Sequence, residues 1–290
     1  MTETRPRPLE TPAATGDARL DALATLLAVI DRLRAPDGCP WDLEQTLGSL
    51  APSAIEEAHE LVEAIETEQD DATCAEEAGD LLMVVLLLCR IAADEGRFDA
   101  EATARSVTEK LVRRHPHVFG SEAADDASHV LVNWERIKRE ERREKGEDTS
   151  ALAGVPKTLP ALQRADRIGA KARSVGFRWA TTEAALRKLE EEVAELRQAI
   201  ESHGPEDSRV ADELGDVFLA GAQLAGYLKL DPEGAARESI RRFEGRFRRV
   251  EAELGAGFGE ATLEELMAAW ERAKRESARL SDPGENSLDR

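Results

Sequence analysis

Positive charge is in deficit throughout the 290-residue chain: 39 Lys and Arg stand against 59 Asp and Glu, a formal net charge of −20. Such a chain is a poor match for a nucleic-acid backbone or an anionic membrane surface, because both require clustered Lys and Arg. Cysteine is scarce as well. Cys39, Cys74 and Cys89 are too few for a disulfide framework and show no CxxC spacing for zinc. They are expected to be reduced thiols of a cytoplasmic protein, with Cys89 in a core. Aromatic residues make up only 4% of the chain. No apolar stretch approaches a membrane span: the longest, Leu81 to Cys89, is about half of one. Residues 1–16 lack the apolar segment of a signal peptide and read as a disordered tail. Alternating strand patterns are missing too.

What the chain does have is 41% hydrophobic residues, too many for disorder, and an abundance of Ala, Leu, Glu and Arg, which favours helix. The pattern predicts an all-α protein with no significant β-sheet. Helices are expected over 20–34, 53–69, 71–95, 100–115 and 126–145. Pro52 is expected in the first turn of its helix, after a turn-rich segment from Pro36 to Asp42. Residues 146–160, with Gly146, Gly154, Pro156 and Pro160, break the pattern and read as a linker. Further helices follow over 161–174, 182–202, 206–229, 232–254 and 263–280. Thr262-x-x-Glu265 forms a capping box, and a second disordered tail is expected over 281–290.

The two sides of the linker repeat each other. Glu56-Glu57-x-x-Glu60 recurs as Glu191-Glu192-x-x-Glu195, and Glu77-x-Gly79-Asp80 as Glu213-x-Gly215-Asp216. Lys110 and Arg114 recur as Arg242 and Arg246, and Trp134 and Lys138 as Trp270 and Lys274. All four matches keep their order at an offset of 132–136 residues. A tandem duplication follows, residues 17–145 and 161–280, each a four-helix-bundle-like unit.

The repeated acids carry the chemistry. Glu57 and Glu60 share a helix face, as do Glu77 and Asp80 on the next helix, and the second copy places Glu192, Glu195, Glu213 and Asp216 in the same way. Four gathered carboxylates repel one another unless a cation neutralises them. Hard oxygen ligands with little His and no Cys favour Mg²⁺, or Mn²⁺, over Zn²⁺. Asp80 precedes a run that is apolar on every face, so this helix is expected to be buried all round, with Asp80 at the mouth of the core. A solvated acidic face is the simpler alternative. The i, i+4 cation pairs could meet a phosphate or only surface acids. The Trp–Lys pairs could meet a base and a phosphate or only pack on the bundle. No phosphate-binding Gly-rich loop is present. A di-iron site would need two Glu-x-x-His motifs, and Glu56-x-x-His59 has Ala194 at the repeated His position.

Gly38-Cys-Pro-Trp-Asp42, the two acidic pairs of each copy and Arg113-Arg-His-Pro-His-Val-Phe119 together resemble the MazG nucleoside triphosphate pyrophosphohydrolases, over about Leu20 to Ala278. The resemblance implies an all-α homodimeric enzyme with Mg²⁺ as cofactor. It implies hydrolysis of NTPs or dNTPs to monophosphate and pyrophosphate, a housekeeping activity on the nucleotide pool. Carried over by residue, the metal ligands would be Glu192, Glu195, Glu213 and Asp216, with Glu57, Glu60, Glu77 and Asp80 as their first-copy equivalents. Lys188, Arg209, Arg242, Arg246, Trp270 and Lys274 would contact the nucleotide. Catalysis would fall to the second copy, with Glu192 or Glu195 accepting a proton from water and Arg242 and Arg246 stabilising the leaving pyrophosphate. Arg209 supports that choice, since the first copy has Thr73 there; Ile240 and Gly245 depart from the family pattern. Two other readings fit the residues: a non-catalytic helical interaction protein, and a hydrolase of another pyrophosphate-containing nucleotide such as an alarmone.

Overall fold

A computed structural model of the chain describes Leu9 and residues 12–123 and 126–281. The expected tails, 1–16 and 281–290, fall largely outside these residues. Among the described residues every regular element is helical. The chain divides into two compact units, residues 1–137 and 138–290.

The first unit contains α1 (Ala18–Leu33), α2 (Pro40–Glu44), α3 (Leu47–Glu66), α4 (Asp71–Asp94), α5 (Ala100–Arg114) and α6 (Pro116–Phe119). The helix that follows, α7 (Ala127–Glu144), crosses the division between the units. Its helix starts follow from side-chain caps. Asp17, Asp70 and Asp99 each accept a hydrogen bond from a backbone N–H of the first turn, relieving donors that the helix leaves unpaired. The tight connection between α3 and α4 folds them into a hairpin. Ile30, Leu50, Leu87 and Ile91 close the core between α1, α3 and α4.

The second unit contains α8 (Ala161–Ser174), α9 (Thr182–His203), α10 (Ser208–Leu228), α11 (Pro232–Leu254) and α12 (Leu263–Ser281), with a 3-10 turn over Gly255–Glu260. Here α9 and α10 repeat the α3–α4 hairpin, turning at Gly204, whose φ of +81° suits glycine. Asp207 caps α10 through the Arg209 N–H, and Thr262 and Glu265 form the expected reciprocal cap. Val250, Ala269 and Ala273 make a small core between α11 and α12, bordered by Trp270 and Phe258.

Three expectations need correction. Pro52 lies inside α3 rather than in its first turn, because Thr46 and Ser49 cap the helix six residues earlier. The Pro36–Asp42 segment is not all turn, since Pro40 opens α2 with proline at a first-turn position. The apolar stretch of α4 is not buried on every face: Val84, Leu87 and Cys89 are buried, but Leu82 and Val85 are 38% and 40% exposed. Asp80 is accordingly exposed rather than set at the mouth of a core. The physical reason is that α1, α3 and α5 cover only part of the α4 surface within this chain.

Candidate functional site

The α3–α4 and α9–α10 hairpins position the acids. In the first unit, carboxylate oxygens of Glu57, Glu60 and Glu77 lie within 4.8 Å of one another. Burial, then repulsion from Glu60 and Asp80, pushes the Glu57 carboxyl above the ordinary carboxylate range. Burial and the same two neighbours do so for Glu77. Asp80 therefore acts on the cluster, although its own oxygens stand outside the 4.8 Å group.

In the second unit, oxygens of Glu192, Glu213 and Asp216 converge to the same 4.8 Å limit. Glu192 is buried, at 7% exposure. Its compensation is visible: Lys188 Nζ lies 2.7 Å from Glu192 Oε1 and 2.7 Å from Glu191 Oε1. Those hydrogen bonds, the one to Glu191 foremost, raise the Lys188 pKa and keep its charge fixed. A hydrogen bond with Glu192, then burial, pushes Glu195 above the ordinary range. Glu195, Arg209 and Glu213 also line a cavity of about 270 Å³ toward the turn of the α9–α10 hairpin.

Hard, converging oxygens that hold protons too tightly when no cation is present are the donor set a small divalent cation fits. The two clusters differ in their cations. Where the second has Lys188 and Arg209, the aligned positions of the first are Ser53 and Thr73.

Most of the remaining residues singled out from the sequence have partners of their own. Arg242 pairs with Glu238 at 3.0 Å and Lys274 with Glu271 at 2.6 Å. Arg246 keeps a buried Nε with no hydrogen-bond partner. Trp270 packs against the core and lies 5.0 Å from the Phe243 ring. Arg209 forms a two-pronged bond with Asp207, each contact 2.9 Å. In the first unit Arg114 lies over Trp134, 5.5 Å from its centroid. Sequence reasoning missed a further constellation, Arg173, Trp179 and Tyr227; the signal for it is Gly38-x-x-Trp41 recurring as Gly176-x-x-Trp179.

Comparison with known proteins gives a consistent result. A family profile described as the MazG nucleotide pyrophosphohydrolase domain matches twice, over residues 45–119 and 180–250. Both hairpins fall inside these matches. The nucleoside triphosphate pyrophosphohydrolase of Escherichia coli K12 is 38% identical over 265 residues, covering 90% of this chain and 100% of that protein. A Thermotoga maritima relative named nucleoside triphosphate pyrophosphohydrolase/pyrophosphatase MazG is 38% identical over 252 residues, 86% of this chain and 94% of its own. The Bacillus subtilis protein YabN, uncharacterized by its name, is 39% identical over 259 residues, 88% of this chain and 52% of that protein.

Proposed function

This chain belongs to the MazG nucleotide pyrophosphohydrolase family and is a nucleoside triphosphate pyrophosphohydrolase, and we propose that its second unit performs the reaction with Mg²⁺. The observation that carries this choice is the buried Glu192 converging with Glu213 and Asp216 beside a fixed Lys188. Mn²⁺ offers similar chemistry. Glu192, Glu195, Glu213 and Asp216 would hold the ion, which when bound neutralises the acids and makes coordinated water more acidic.

The chain's own groups do the rest. Glu195, the exposed member of the pair with Glu192, would take the proton that the attacking water gives up once its carboxyl is ionised. The water oxygen bonds to the α-phosphorus and the bond from that phosphorus to the bridging oxygen breaks, leaving nucleoside monophosphate and pyrophosphate. Lys188 orients Glu192. Arg209, at the mouth of the cavity, can exchange Asp207 for a phosphate oxygen. Arg242, Arg246 and Lys274 are assigned to the charge on the pyrophosphate, and Trp270 to the base. In ¹⁸O-enriched water the label should enter the monophosphate; label in pyrophosphate would place the attack elsewhere and refute this scheme.

A homodimer is supported by apolar side chains exposed at matching places in both copies. Leu82 on α4 and its counterpart Phe218 on α10 are 38% and 56% exposed, and a second chain would remove them from water. Light scattering should give about twice the 31.8 kDa chain mass. A cytoplasmic location is supported by the three free cysteines, which suit a reducing compartment. No helix among the described residues is long and apolar enough to cross a membrane.

A further inference from the structure

The two copies differ most in what fills the space between their first helix and the hairpin. In the first unit that space is solid: Ile30 of α1 packs with Leu87 and Ile91 of α4. Because α4 and α10 align without a gap through their Glu-x-Gly-Asp motifs, Leu87 corresponds to Gln223 and Ile91 to Tyr227. On α8, Gly169 faces these positions: an added Cβ would come 3.1 Å from Arg173 Nη1 and 3.3 Å from Gln223 Cγ. Two apolar core residues of α4 have given way to an amide and a phenol on α10, with a glycine facing them. The result is a cavity of about 360 Å³ lined also by Arg173, Phe177 and Trp179, within the size range of small-molecule sites.

Its polar groups are arranged rather than scattered. Trp179 N–H donates to Tyr227 Oη at 2.6 Å, and the Tyr227 hydroxyl donates back to the Trp179 carbonyl at 3.3 Å, so the loop is tied to α10. Arg173 lies over the Tyr227 ring, 5.4 Å from its centroid, and contacts Asp166 through Nη2 at 3.4 Å. Its Nη1 is buried without a hydrogen-bond partner. Gly226 makes room for the guanidinium, since a Cβ there would collide with it; the first copy has Arg90 at that position. By contrast Arg34, at the corresponding helix end of the first unit, is satisfied by Asp94 at 2.9 Å and by the Asp42 carbonyl. The position matching Asp94 is Leu230, which offers Arg173 no acid. The Gln223 amide makes no hydrogen bond among the described residues, and the Phe177 ring is 82% exposed beside the opening.

An unmet donor calls for an acceptor oxygen, a free amide for a donor–acceptor edge, and exposed aromatic rings for a flat partner. We propose that this cavity binds a nucleobase carrying a ring carbonyl, with the carbonyl on Arg173, the ring amide on Gln223 and the ring plane against Phe177 and Trp179. Arg178, exposed at the rim, is placed for a phosphate. Gln223 lies seven residues beyond Asp216 on α10, about 10 Å along the helix axis, so this subsite is separate from the carboxylate centre. The base comes from a free nucleotide, Trp270 being assigned to the substrate's own.

Titration calorimetry of the full chain in EDTA, with GMP, UMP and AMP as probes, tests the site while no metal occupies the carboxylates. GMP and UMP should bind, with AMP at least tenfold weaker for want of a ring carbonyl. Gln223→Leu, which restores the first copy's side chain, and Gly169→Ile, which fills the cavity, should each weaken GMP binding at least tenfold without lowering Tm; Arg173→Lys is a third variant that keeps the charge but loses the planar fork. Absence of heat with GMP and UMP, or equal binding by wild type and a folded Gln223→Leu protein, overturns the proposal. With Mg²⁺ and a non-hydrolysable GTP analogue, two equivalents per second unit are expected; a single equivalent displaced by GMP would mean that the cavity takes the substrate's own base and would overturn the proposal of a separate nucleotide site. GMP binding that survives in the Glu192→Ala/Glu195→Ala protein keeps this result distinct from any failure of the proposed catalytic centre.

Discussion

At the scale of single residues the two copies keep the same acids and differ in what accompanies them. Glu57 and Glu77 face one another across a hairpin that has Ser53 and Thr73 where Glu192 and Glu213 have Lys188 and Arg209. The spacing of the acids made both clusters legible in the sequence, because i, i+3 placement on adjoining helices is a local property. The burial of Glu192 and the grip of Lys188 on it were not, since they depend on tertiary packing. Lys188→Ala should lower kcat/KM about 10–100-fold, the loss of a charge-assisted hydrogen bond of about 1.5–3 kcal/mol; steady-state pyrophosphate release with a fixed NTP measures it.

The site acids also set a pH dependence. Glu57, Glu77 and Glu195 hold their protons more tightly in the folded chain than an ordinary glutamate does. In metal-free protein they favour folding at low pH, and that contribution is lost as pH rises from about 4.5 through their raised values. Asp70 and Asp207 run the other way: the cap hydrogen bond from Thr73 holds Asp70, and the Arg209 guanidinium, then the Arg209 backbone N–H, holds Asp207, below the ordinary range, so their contribution is present above it and lost as pH falls. Tm in EDTA should therefore peak on the acid side of neutrality, and Mg²⁺ should move the maximum toward neutral pH by removing the repulsion. Thermal melts across pH with and without Mg²⁺ check both arms.

At the scale of elements, helix positions followed closely from caps and periodicity: Ala161–Ser174 and Pro232–Leu254 end where the sequence places them. The misses share one cause. Pro52 resembles a helix start, yet the Thr46–Ser49 capping box six residues earlier wins. The short α6 arises where a proline preset for a first turn follows a helix end. Two changes probe the hairpin turns. Asp207→Ala should cost about 1 kcal/mol as a lost N-cap and free Arg209 from its partner. Glu68 has a φ of +53°, so Glu68→Gly should gain about 1 kcal/mol by relieving a left-handed residue. Urea unfolding measures both.

At the scale of the whole molecule, duplication was legible because four motifs recur in the same order at nearly one offset, while divergence of the copies was not. The first copy's solid core of Ile30, Leu87 and Ile91 and the second copy's hollow at Gly169, Gln223 and Tyr227 look alike as helix periodicity. They differ only in volume and polarity once the helices meet. The exposure of Leu82 and Val85 was hidden for a similar reason, because a nine-residue apolar run does not say whether its cover belongs to the same chain. The division of labour that follows gives the second unit the charged, compensated centre and the first a similar acid cluster without the aligned cations.

Pyrophosphate release from NTPs with Mg²⁺, compared for wild type, Glu57→Ala/Glu60→Ala and Glu192→Ala/Glu195→Ala proteins, tests that division most directly. Loss of at least 99% of turnover in the Glu192/Glu195 variant, with most activity kept in the Glu57/Glu60 variant, is the expected result. Abolition by the Glu57/Glu60 pair alone would contradict it and transfer the active centre to the first unit.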